Sequence, residues 1–73
     1  MPTPRPLAPR ELEIVALVAE GLSTSDIAEK LDIASDTVQG ALSTIYLKLG
    51  VRSRAQLVRW AFLNGHVKMK RTS

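Results

Sequence analysis

Gln39 and Ser43 lie four residues apart with Gly40 between them, so a helix carrying them turns a carboxamide and a hydroxyl to one side. Groups of this kind hydrogen-bond; they do not attack a substrate unless a base activates them. Hydroxyls recur at Ser23, Thr24, Ser35 and Thr37, and three cations, Lys48, Arg52 and Arg54, fall within seven residues. Together these are the means of recognising an anionic, hydrogen-bonding surface. Reactive chemistry has little to work with. The chain holds no cysteine and one histidine, His66, with no Gly-rich phosphate loop and no Ser-His-Asp set. A lone imidazole without clustered carboxylates cannot supply the three or four ligands of a zinc site. No enzyme, metal or cofactor is expected, and no small-molecule ligand.

The 73 residues, 45% hydrophobic and 23% charged, make one small domain near the lower limit for a self-supporting core. Without cysteine there are no disulfides, which fits a reducing compartment. No apolar run reaches the roughly 18 residues of a membrane span, and the first residues lack the order of a signal peptide. A cytoplasmic, non-membrane protein is expected. The net charge of +3 conceals an asymmetry. Over residues 1–36, Arg5, Arg10 and Lys30 stand against all seven acids, leaving −4. Residues 37–73 carry Lys48, Arg52, Arg54, Arg59, Lys68, Lys70 and Arg71 with no acid, which is +7. A carboxylate-free half meets no self-repulsion from a polyanion, so nucleic acid or an acidic protein surface is the partner class expected; a merely solubilising basic tail is the plainer alternative.

Four helices would position these groups. Residues 1–8, with prolines at 2, 4 and 6, read as an extended, flexible leader. The domain is expected over residues 9–65. Its first helix starts with Pro9 at the favoured first position and stops at Gly21. Leu12, Val15, Ala16 and Ala19 form one apolar stripe and Ile14, Leu17 and Val18 another, so this helix is the central, buried one. Ala8 is a weak cap for it. Ser23 and Asp26 form a capping box for a second, short helix with Ile27, Ala28 and Leu31 on one face. After Asp32-Ile33-Ala34, Ser35 is expected to cap a third helix, whose Val38, Leu42, Ile45 and Leu49 face inward and which ends at Gly50. Ser53 with Gln56 repeats the capping-box pattern for a fourth helix, 54–64, ended by Gly65. Residues 66–73 make a basic tail. With no strand pattern in competition, the chain is read as all-α, a four-helix bundle-like domain whose middle pair is a helix-turn-helix.

In such a motif the second helix of the pair enters the major groove of double-stranded DNA while neighbouring helix ends touch phosphates. Gln39, Gly40 and Ser43 would then face base edges, with Gln39 suited to adenine. Ser23, Thr24, Ser35, Thr37, Lys48, Arg52 and Arg54 would hold phosphates, helped by the positive ends of the helices.

Five segments carry a resemblance: Leu7-Ala8-Pro9-Arg10-Glu11, Val18-Ala19-Glu20-Gly21-Leu22-Ser23, Asp26-Ile27-Ala28-Glu29-Lys30-Leu31, Ser35-Asp36-Thr37-Val38, and Lys48-Leu49-Gly50-Val51-Arg52-Ser53-Arg54. In this order and spacing, over about residues 7–65, the chain resembles the DNA-binding domain of LuxR-type (GerE-type) regulators. The resemblance implies a DNA-binding transcriptional regulator and a homodimer formed through the fourth helix on an inverted repeat, with Leu57, Trp60 and Ala61 at that interface. The fourth helix carries surplus apolar surface in Leu57, Val58, Trp60, Ala61, Phe62 and Leu63. Trp60 is the residue expected to be spare, with ordinary core packing as the alternative. Arg10 and Glu11 stand in the family's places and are expected to bridge to the rest of the fold. Departures concentrate on the third helix. Gln39, Gly40 and Ala41 replace a lysine, a variable residue and a histidine, and Ser43, Thr44 and Leu47 stand where basic residues are frequent. Gly40 allows close approach to DNA or to a thymine methyl, or marks drift on a surface that no longer reads anything. A second reading follows: a protein-interaction module that keeps the fold and binds RNA polymerase or another regulator, with Leu47 as its support.

Overall fold

The computed structural model describes residues 7–65; the expectations for the rest of the leader and for the basic tail lie outside them. Among the described residues there are four helices and no strand: α1 (Pro9–Ala19), α2 (Thr24–Leu31), α3 (Ser35–Leu49) and α4 (Arg54–Leu63). None of these helices is long and apolar enough to cross a membrane.

The central helix is α1, as its doubled apolar pattern requires. It packs against α4 on one side and against α3 and α2 on the others, while α2 and α3 pack on each other. Ile14, Val15, Leu17 and Val18 from α1 meet Ile27 and Ala28 from α2, Val38, Leu42 and Ile45 from α3, and Leu57 and Ala61 from α4. No polar side chain is buried among the described residues, so the core is held by apolar burial alone. Leu7 belongs with the fold and not with the leader, since it packs against this core.

Three helices end the same way. Gly21, Asp32 and Gly50 each take a left-handed conformation. The residue that follows, Leu22, Ile33 or Val51, returns its amide to a carbonyl five residues back, on Leu17, Ala28 or Tyr46. Each of those three followers also packs its side chain against the core, which is how such a closure sets the direction of the next segment. Among the described residues Asp32 is the one non-glycine residue with positive φ, at 58°, a conformation an aspartate tolerates better than most side chains. It makes the turn between α2 and α3 only three residues long, 32–34.

The helix starts are less uniform than expected. At α2 the capping box is complete: the Asp26 amide donates to Ser23 Oγ at 3.1 Å and the Ser23 amide to Asp26 Oδ2 at 3.4 Å. At α4 the Gln56 amide donates to Ser53 Oγ, but the Gln56 side chain accepts from the Arg52 amide at 2.6 Å instead of from Ser53. At α1 only the return half exists, from the Ala8 amide to Glu11 Oε1 at 2.8 Å, because alanine has no acceptor to offer. At α3 the expected serine cap is displaced. The capping residue is Ala34, without a side-chain bond, and Ser35 is the first helical residue. The short turn carries the chain into helical geometry one residue early.

Candidate nucleic-acid interface

The inward positions of α3 leave Gln39, Gly40, Ser43, Thr44 and Leu47 exposed along the side away from the core. The structure therefore brings together the three residues expected to read bases. Thr44 is less available, since its hydroxyl donates to the Gly40 carbonyl at 3.2 Å. Leu47 is 85% exposed. From Ser35 to Leu47 the helix carries no cation, and Asp36 is its one charge.

Ser35 and Thr37 are exposed in the first turn of α3, Ser23 is exposed ahead of α2, and Thr24 is half-buried beside it. Ala34 provides no side-chain acceptor, and the Thr37 amide donates to its carbonyl at 3.0 Å, so the Ser35 and Asp36 amides are the ones open to an outside acceptor such as a phosphate oxygen.

The three cations separate. Arg52 is exposed and its side chain has no partner among the described residues. Arg54 is half-buried and its guanidinium donates to the Leu22 carbonyl, tying the start of α4 to the loop before α2. Lys48 donates to Glu11 Oε1 at 2.8 Å, a bond between the end of α3 and the start of α1. Its charge is thus compensated within the fold. Of the pair expected to bridge outward from α1, Glu11 does so, whereas Arg10 among the described residues reaches only Glu13 on its own helix, at 3.6 Å.

Glu11 is held below the ordinary glutamate range, first by the hydrogen bond from Lys48 and next by the Ala8 amide, both outweighing desolvation. A carboxylate whose folded pKa is depressed contributes stability above its unfolded pKa and loses it as pH falls through the folded value. Acidification below the ordinary glutamate range should therefore weaken the domain. Comparing urea midpoints at neutral and acid pH, Glu11→Gln is expected to lower the neutral midpoint and to flatten part of the acid dependence.

On α4, two of the three residues expected at the subunit interface are enclosed: Leu57 and Ala61 are 0% exposed and belong to the core. Trp60 is half-buried and packs against the core edge. The apolar surplus lies instead at the end of the helix, with Phe62 49% and Leu63 74% exposed. The sequence signal was a helix apolar on all sides. Which of its sides remained outside was set by how α4 rolls against α1.

Residues 5–61 match the family described as bacterial regulatory proteins, luxR family. The chain is 53% identical over 55 residues, 74% of its length, to "Probable HTH-type transcriptional regulator GfsR" of Streptomyces halstedii, of which it covers 23%. It spans 7% to 25% of the curated relatives it matches. Among solved structures, the transcription factor GerE superposes with a TM-score of 0.77 at 35% identity, covering 85% of this chain and 92% of that one. The response regulator ChrA, of a heme-sensing two-component system, superposes at 0.80 with 36% identity, covering 90% of this chain and 32% of that one. Sequence and fold agree with each other, and the family is one of transcription regulators and not of enzymes. The chain belongs to the luxR family of bacterial regulatory proteins, as a helix-turn-helix DNA-binding domain.

Proposed function

We propose that this domain binds double-stranded DNA as a homodimer, with α3 in the major groove and Gln39, Gly40 and Ser43 against base edges. The observation that carries this reading is the side of α3 opposite the core, left open from Gln39 to Leu47 while α1 and α2 support the helix from behind. Phosphates would be held by Ser23, Thr24, Ser35 and Thr37, by the Ser35 and Asp36 amides, and by Arg52, a full charge with no partner among the described residues. Arg54 would add to the field from its place against Leu22, and Lys48 less so because Glu11 offsets it. With Arg52 the unpartnered member of the set Lys48, Arg52 and Arg54, these residues should add only a shallow salt dependence to the affinity. The second copy would meet Phe62 and Leu63 at the end of α4, the apolar side chains there that the core does not cover.

Selection from a random-sequence duplex pool at near-physiological salt tests both parts. Enrichment of an inverted repeat is the expected result, and a folded protein that enriches nothing would reject it. Replacing Phe62 and Leu63 together by serine should shift sedimentation toward monomer with little loss of stability. One observation favours a second reading, a surface for RNA polymerase or another regulator: the exposed isobutyl group of Leu47 suits a protein better than a duplex. On that reading Leu47→Ala would weaken the protein contact and leave duplex binding unchanged.

A further inference from the structure

Three of the four glycines explain themselves. Gly21, Gly50 and Gly65 have φ of +96°, +69° and +72°, values that side chains rarely adopt. Gly40 does not. It sits inside α3 with helical backbone, where glycine is less favourable than alanine, and a Cβ built on it meets nothing within 4 Å. Nothing inside the domain calls for the missing side chain. The position is open to solvent, on the side that also carries Gln39 and Ser43.

The chemistry around this bare position narrows what approaches. Guanine is read most often by the fork of an arginine or by a lysine, and no cation occurs between Ser35 and Leu47. Gln39 offers a donor and an acceptor on one carboxamide, the pair that matches N6 and N7 of adenine. Thr44 has its hydroxyl turned to the Gly40 carbonyl, so that carbonyl already holds one donor and the backbone there has little need of a polar contact.

We propose that Gly40 is a specificity determinant: its uncovered backbone receives the methyl group of a thymine beside the adenine held by Gln39, so the base pairs read by this part of α3 are A·T. The inference rests on the proposed groove-binding reading and adds to it the kind of base pair and the atom recognised. A methyl on the backbone of Gly40 replaces the side chain the helix lacks, and removes apolar surface from water on both partners.

The test uses the whole chain and the duplex it selects from the random pool, prepared again with deoxyuridine in place of each thymine in turn. Uracil differs from thymine by the methyl alone. The selected half-site should carry adjacent A·T pairs, and one substitution should weaken binding about fourfold, the worth of one buried methyl-sized group. Gly40→Ala should raise the melting temperature of the free protein, weaken binding to the thymine duplex, and abolish the difference between thymine and uracil. A glycine with no part in recognition would show the first effect without the other two, which would overturn the proposal. A selected site with G·C at these positions, or one indifferent to uracil, would overturn it while leaving groove binding intact. Failure to bind any duplex would remove the reading beneath it and the proposal together.

Discussion

Leu57→Ala is expected to cost about 2–5 kcal/mol of stability, the range for truncating a large side chain in a closed core. Leu57 is fully buried where α4 packs on α1, among the innermost apolar residues. A domain of this size, without disulfides, has on the order of 3–5 kcal/mol in total from a single core. The substitution should therefore leave much of the protein unfolded at room temperature. Urea denaturation followed by circular dichroism measures the loss. Its independence of protein concentration separates this role from the interface role that the sequence pattern assigned to the same residue. A loss under 1 kcal/mol, or one that disappears as protein concentration rises, would place Leu57 at a subunit contact against the burial described above.

Gln39→Ala is expected to relax preference at one base pair and to weaken binding of the selected duplex by about 1–3 kcal/mol. The fold should be untouched, because the side chain is exposed and makes no bond among the described residues. The effect is large for a single contact because the duplex site would keep an adenine edge dehydrated and unpaired once the carboxamide is gone. Arg52→Ala is the natural comparison. It removes a charge without a partner, so it should weaken all duplexes alike and lower the salt slope, leaving the selected sequence unchanged. If Gln39→Ala instead weakened every sequence equally, Gln39 would be touching the sugar-phosphate backbone and α3 would sit differently in the groove.

These two residues also separate what was legible from what was not. Gln39 could be placed from the chain alone. The spacing of Val38, Leu42 and Ile45 turns one side of α3 inward, and the residues between must then face out. The same logic gave the capping box at Ser23 and the glycine ends at Gly21 and Gly50, since these depend on neighbours within a turn. Leu57 could not be placed in this way. On α4 apolar residues occur in nearly every direction, and periodicity does not rank them. The displaced cap at Ala34 is a similar case at smaller scale, because two adjacent residues can each begin a helix and the three-residue turn after Asp32 decides between them. The cations show the limit most plainly. Lys48, Arg52 and Arg54 look alike in sequence, yet one is held by Glu11 from thirty-seven residues away, one by the Leu22 carbonyl, and one by nothing among the described residues.

By itself the sequence determined the elements and their order: four helices, a tight turn between the middle two, and an outward side of α3 with amide and hydroxyl groups and no cation. Those properties are local, set by hydrogen bonds and apolar spacing within a few residues. Only the tertiary structure decided which apolar side chains of α4 remain uncovered, which cations keep their charge for an outside partner, and that Gly40 has no internal reason to be glycine. Each of these depends on what packs against a residue from a distant part of the chain, and spacing along one helix carries no record of that.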